Sequence, residues 1–139
     1  MRVLRVSVLI NVALGIALAG FAAYVCAHGV TKPNLVMQKV VDGMPQGEKQ
    51  LIRVMNASFQ PGDQTVFHTH RFPVTVYVLE GAFTLELEGS EPVHVKAGEA
   101  YVEPPGVKMT GYNRENATPL KVLIFYVSDP DTPFLDPIT

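Results

Sequence analysis

Short apolar runs, each closed by a turn signal, are the feature of this sequence that most limits its fold. From residue 50 onward, runs rich in β-branched and aromatic residues alternate with clusters of Gly, Pro, Asn and Asp. This rhythm is typical of an all-β sandwich or small barrel, and the 11 Pro and 11 Gly disfavour a helical bundle. The predicted strands are 50–59, 65–70, 75–79, 83–88, 93–95, 101–103, 108–112 and 120–128.

The segments on either side of these strands have a different character. Residues 28–48 form a lead-in with several Pro and Gly, for which we expect one short strand at 35–41. Residues 49–128 form the predicted β-barrel, and the apolar run 122–127 predicts a central strand. Residues 129–139 form a Pro-rich tail, which can make neither a regular helix nor an inner strand.

Residues 1–27 have the form of an export signal or a membrane anchor. Arg2 and Arg5 give a cationic start, and no charged residue follows until after Ala27. The apolar stretch is about 20 residues long, just enough to span a bilayer as a helix. We therefore expect an N-terminal apolar helix, a domain that is secreted, periplasmic or anchored outside the cytoplasm, and membrane contact only through residues 6–27 if they are not cleaved.

Composition excludes several classes of function. The chain has 11 basic and 13 acidic side chains, and a mildly acidic domain is a poor nucleic-acid binder. Its one cysteine, Cys26, lies in the leader, so the domain has neither a disulfide nor a thiolate metal site. The sequence has no nucleophile elbow, phosphate loop or dinucleotide-binding glycine pattern, which sets aside serine hydrolases, kinases and dehydrogenases.

His68 and His70 are the main candidates for chemistry. They are two residues apart in a predicted strand, so both point to the same face. Two imidazoles on the inner wall of a barrel are costly unless their nitrogens are satisfied, and a metal ion satisfies both. The alternative is a pair of exposed histidines on the outer face.

Two motifs around these histidines resemble the signatures of the cupin family. The first is Gly62, five residues, His68-Thr69-His70 and then 77–81; the second is Gly98, five residues, 104–106 and then Asn113. The resemblance covers roughly residues 55–127 and is closest to small single-domain type-2 cupins. It implies a double-stranded β-helix, or jelly-roll barrel, with a central cavity in which three histidines and a glutamate often hold a metal.

The sequence departs from that pattern at two ligand positions, which indicates a degenerate metal site. The family glutamate falls on Val74 and the third family histidine on Met109. His68, His70 and Met109 would offer two imidazole nitrogens and one thioether, a soft set that favours copper over Mn or Fe. Iron is the alternative metal, and cavity filling is the alternative role for Met109.

Polar and aromatic side chains complete the predicted site. Thr75, Tyr77, Tyr101 and Tyr112 are candidates for the lining of a small ligand pocket. Glu86, Glu88 and Glu103 are expected on the solvent face, without a catalytic pairing.

The sequence is compatible with three functions. The first is an exported protein that binds a metal ion or small ligand through His68 and His70, without turnover. The second is a metal-dependent dioxygenase or isomerase acting on a small aromatic or enolic substrate. The third is a non-catalytic scaffold without a metal. A homodimer with contacts near the N-terminal strand and the Pro-rich tail is expected from fold analogy alone.

Overall fold

Two antiparallel sheets make up the computed structural model, which describes residues 29–139. One sheet has the strand order β1-β8-β3-β6 and the other β5-β4-β7-β2-β9. The described strands are β1 (Leu51–Phe59), β2 (His68–Thr69), β3 (Val74–Glu80), β4 (Ala82–Leu87), β5 (Val93–Lys96), β6 (Ala100–Glu103), β7 (Met109–Tyr112), β8 (Leu120–Ser128) and β9 (Asp136–Pro137).

The predicted strands from residue 50 onward are present, and the all-β prediction is confirmed. The apolar run at 122–127 lies in β8, between β1 and β3, so it is a central strand as predicted. The expected strand at 35–41 is wrong, because this part of the lead-in pairs with no other strand. The predicted run 65–70 is reduced to the two residues of β2.

The hydrophobic core lies between the two sheets. In β3, Val74, Val76 and Val78 are buried and alternate with Thr75 and Tyr77, as the two-residue period of a strand requires. The neighbouring strand β8 and the strands of the other sheet add further buried side chains: Leu120, Val122 and Tyr126 from β8, and Phe83, Leu85, Leu87, Val95 and Met109 from the facing sheet. This core surrounds a cavity near one end of the barrel.

Residues 33–139 form one compact unit by backbone contacts. The predicted export or anchor segment, residues 1–27, lies outside the described residues. Within the described part of the chain, no helix is long and apolar enough to cross a membrane.

Candidate functional site

The two candidate histidines lie together inside the barrel. His68 begins β2 and His70 follows it, and both side chains are almost fully buried, with 4% and 1% exposed. Their rings are in edge-to-face contact, with centroids 4.7 Å apart. The prediction that both point to one inner face is therefore confirmed.

Each histidine is oriented by a backbone carbonyl. His68 Nδ1 donates to the carbonyl oxygen of Val66 at 2.6 Å, and His70 Nδ1 donates to that of Phe134, also at 2.6 Å. A carbonyl oxygen can only accept, so the proton of each ring lies on Nδ1. In the neutral form of each ring, Nε2 is then free to act as an acceptor or a metal ligand. A metal-binding histidine in proteins is commonly held in this way.

The two free nitrogens converge on one point. His68 Nε2 and His70 Nε2 are 3.1 Å apart. Two unprotonated nitrogens at this distance repel each other unless a proton or a metal cation lies between them. Burial lowers the pKa of His68, so its ring favours the neutral form that a metal requires.

Glu103 completes the cluster, although its sequence context predicts a position on the solvent face. Its side chain is buried, and its Oε2 lies 3.2 Å from His70 Nε2. The prediction is wrong because residues two apart share a face of a strand, so Glu103 lies on the same side of β6 as Tyr101. The inward assignment of Tyr101 was the signal that could have located Glu103.

These three side chains form a row with His70 in the middle. Across residues 29–139, no group of three or more His, Cys, Asp or Glu side chains has the arrangement of a metal site. The two measured contacts, 3.1 Å and 3.2 Å, nevertheless match the spacing of ligands on one ion. Ligand atoms about 2.1 Å from a metal are about 3.0 Å apart at a right angle and about 3.4 Å apart at the tetrahedral angle.

An apolar cavity of about 120 Å³ lies beside the histidines. Cavities on the order of 150 Å³ hold one benzene-sized molecule. The polar side chains on its wall are Thr65, His68, His70 and Glu103. The remaining lining comes from Ala57, Phe59, Val76, Phe83, Leu85, Gly111, Val122, Ile124, Phe134 and Leu135.

The C-terminal tail forms part of the cavity wall. Phe134 and Leu135 line it, and the carbonyl of Phe134 orients His70. β9 pairs with β2 beside the histidines, and Ile138 N donates to the Phe67 carbonyl at 2.9 Å. The tail therefore covers the cavity and positions one of its histidines.

Aromatic rings enclose His70 on two sides. The Phe134 and Tyr126 ring centroids lie 4.9 Å and 5.9 Å from the His70 ring. Tyr126 is fully buried, and its hydroxyl lies close to the backbone of Arg71 and Phe72. Burial raises the pKa of Tyr126, so this hydroxyl stays protonated beside the site.

The predicted pocket residues do not line this cavity, and their role in binding a ligand stays a prediction. Thr75 and Tyr77 alternate with the buried valines of β3, so they are on the outer face. Tyr112 is next to inward-facing Gly111 and packs against Arg114, whose guanidinium lies 4.4 Å from the ring centroid. Tyr101 packs against the edge of the core but does not line the cavity.

Met109 is a fully buried member of the core. It lies opposite His68 in the register of β2 and β7, yet it is not among the side chains that line the cavity. Its role as a ligand stays a prediction, as does its alternative role as core filling.

The sequence and the fold together identify the class of protein. Residues 55–126, more than half of the chain, match the family model of the cupin domain, so the chain belongs to the cupin family. No curated protein matches the sequence.

Solved structures with the same fold include several cupins. A cupin-like protein from Thermotoga maritima is 22% identical over 63% of this chain and 64% of its own, with a TM-score of 0.53. The DMSP lyase DddQ from Ruegeria pomeroyi is 21% identical over 59% of this chain and 41% of its own, with a TM-score of 0.52. YhaK from Escherichia coli is 18% identical over 65% of this chain and 43% of its own, with a TM-score of 0.52. The matched region spans less than two thirds of each of these proteins.

Proposed function

We propose that this cupin domain binds one metal ion through the Nε2 atoms of His68 and His70. The observation that carries the proposal is the convergence of two buried imidazole nitrogens at 3.1 Å, each with its Nδ1 proton already donated to a backbone carbonyl. In a hydrogen-bonded pair of neutral rings, one ring would carry its proton on Nε2, so only one Nδ1 could donate to a carbonyl. Two oriented rings with two free lone pairs are the arrangement expected of a metal site.

The cavity beside the histidines supports a second part of the proposal, namely that a small and mainly apolar molecule binds next to the metal. Its wall is apolar except at the histidine end, so a ligand with one polar group would orient that group toward the metal. A bound divalent ion would polarise an oxygen of such a molecule as a Lewis acid. This cavity is the observation that favours the enzyme alternative. The scaffold alternative does not explain why the Nε2 lone pairs of both histidines point to one place.

We further propose that the domain functions outside the cytoplasm. The support is the cationic start and the uncharged apolar stretch of residues 1–27. The ligand types read from the sequence make copper and iron the first metals to test. Binding of Zn and Mn should be measured alongside them.

The test is the metal content of the full-length chain, expressed with its own leader and purified without a nickel column. Elemental analysis of the wild type should give close to one metal per chain, and melting should shift upward when the metal is added to the stripped protein. The variants His68→Ala and His70→Ala should lose the metal and the shift. Mass spectrometry of the same sample, taken from the extracytoplasmic fraction, should show whether cleavage follows Ala27.

The outer-face histidine His94 offers a matched control. It is exposed, and its Nδ1 contacts Thr84 Oγ1 at 3.1 Å, away from the cavity wall. His94→Ala should retain both the metal and the melting shift. A wild-type protein without metal, and without a shift for Cu, Fe, Zn or Mn, would contradict the proposal.

A further inference from the structure

We infer that Glu103 is the third ligand of this metal site, and that it replaces the carboxylate that the family pattern has at Val74. This inference rests on the proposed function, because it names a further ligand for the same ion. It changes the predicted donor set from two nitrogens and a thioether to two nitrogens and a carboxylate oxygen.

The register of the sheet explains how the replacement works. Val74 in β3 and Glu103 in β6 are direct partners across the antiparallel pair. Directly opposed residues point to the same face, with Cβ atoms about 5 Å apart. Both side chains are buried, with 0% and 5% exposed. A carboxylate lost from one strand is therefore supplied from the neighbouring strand, on the same inner wall.

The contact distance places Glu103 within reach of the ion that the histidines would hold. Its Oε2 is 3.2 Å from His70 Nε2, and this spacing equals that of neighbouring ligands on one metal. The backbone hydrogen bonds of the two histidines already fix both rings.

The surroundings of Glu103 leave a cation as its natural partner. A buried carboxylate is costly unless it is paired. Within residues 29–139, every Lys or Arg that forms an ion pair does so with another acidic residue: Asp136, Glu88, Glu86 or Glu80. The close contact of Glu103 is with His70 Nε2, at 3.2 Å, and a neutral imidazole does not neutralise a carboxylate. A divalent ion would compensate the carboxylate and occupy both imidazole lone pairs at once.

The donor set also narrows the metal class. Two imidazoles and one carboxylate suit borderline or hard divalent ions such as Fe²⁺, Co²⁺, Zn²⁺ or Mn²⁺, whereas Cu(I) prefers thioether and thiolate sulfur. Met109 then belongs to the hydrophobic core, in which it is fully buried. The inference therefore favours the iron alternative, or another divalent ion, over the copper expected from the sequence.

The experiment titrates the metal-free, full-length protein with Co²⁺, followed by competition with Zn²⁺. The Co²⁺ absorption spectrum reports ligand type and geometry independently of any activity. Glu103→Gln keeps the size of the side chain and should weaken Co²⁺ binding by about tenfold or more, with a changed spectrum. Met109→Leu, the matched control for a buried neighbour of similar volume, should leave the affinity and spectrum as in the wild type.

A second variant tests the replacement of one carboxylate by the other. It also keeps the inference testable if Glu103→Gln does not fold. Val74→Glu combined with Glu103→Val moves the carboxylate back across the register, and it should bind Co²⁺ more tightly than Glu103→Val alone. Circular dichroism melting of each variant confirms the fold.

The outcomes separate the inference from the proposed function. If wild type and Glu103→Gln bind Co²⁺ equally while His70→Ala does not, Glu103 is no ligand but the histidine site stands. If Met109→Leu weakens Co²⁺ binding and Glu103→Gln does not, the ligand set is His68, His70 and Met109, and the inference is overturned. Failure of the wild type to bind Co²⁺ or Zn²⁺ would overturn both.

Discussion

A single glycine in the cavity wall faces an aromatic ring. Gly111 in β7 is opposite Leu85 in β4, and both line the cavity. A Cβ atom added at Gly111 would lie 2.5 Å from two ring carbons of Phe83, closer than van der Waals contact permits. The absence of a side chain at this position therefore allows the Phe83 ring to pack flat against β7.

The variant Gly111→Ala tests this packing. The methyl group must displace the Phe83 ring, and overpacking of this kind costs about 1–3 kcal/mol of unfolding free energy. Urea denaturation of the two proteins measures the difference. Gly29→Ala is the control, because a Cβ there meets nothing within 4 Å. Equal stability of Gly111→Ala and wild type would mean that the ring moves freely into the cavity.

The histidines were predictable from the sequence, whereas Glu103 was not recognised. His68 and His70 carry their own evidence, because two imidazoles in a strand are rare and the motif around them is specific. Glu103 stands alone before two prolines, and a lone glutamate in a short strand ordinarily faces solvent. Its burial follows from the pairing of β6 with β3, which brings it opposite Val74. Sequence spacing alone does not show which strands are partners.

At the scale of elements, the C-terminal tail is part of the site rather than an appendage. It pairs with β2 through β9, supplies the carbonyl that orients His70, and adds two side chains to the cavity wall. Arg71 and Asp136 add a bidentate ion pair at 2.8 Å and 2.9 Å, although both side chains are substantially exposed. Exposed pairs contribute little to stability, so the backbone pairing and the apolar contacts hold the tail.

Removal of residues 131–139 is expected to weaken metal binding. Without the Phe134 carbonyl, the His70 ring loses the hydrogen bond that fixes its orientation, and loss of such a partner commonly lowers metal affinity by about 10- to 100-fold. Co²⁺ titration of the shortened chain measures the effect. Asp136→Ala, which removes only the exposed ion pair, should bind like the wild type. An unchanged affinity in the shortened chain would show that the tail does not position His70.

The strands that the sequence predicted well are those with strong turn signals at both ends. β4 ends before Gly89, where the positive φ of 80° suits glycine, and β8 is a long apolar run in the middle of a sheet. The wrong strand at 35–41 is apolar too, but Leu35 and Val40 are exposed and no neighbouring strand pairs with them. A strand requires a partner, and the partner is a property of the fold rather than of the local sequence.

At the scale of the whole molecule, β1 is an edge strand whose outer face is apolar in its first half and polar at Asn56 and Ser58. Ile52 and Val54 are 70% and 57% exposed, and Phe125 beside Val54 is 42% exposed. A nine-residue edge with unpaired backbone groups and apolar side chains is a natural template for association. The expected homodimer, with contacts near the N-terminal strand and the Pro-rich tail, stays a prediction, and this surface is where we place its contact.

We therefore predict that the protein is a dimer at micromolar concentration and that Val54→Lys makes it a monomer. The lysine places a charge in the centre of the apolar face, where association would have to bury it without a partner. Sedimentation equilibrium of the full-length protein, kept in detergent if its leader remains, gives the mass of both forms.

Leu79→Lys, at an apolar side chain on β3 that is 51% exposed, is the matched control and should remain a dimer. A wild-type monomer would contradict the prediction. Equal dissociation of both variants would locate the contact elsewhere, because a contact confined to the face of β1 depends on Val54 and leaves Leu79 in solvent.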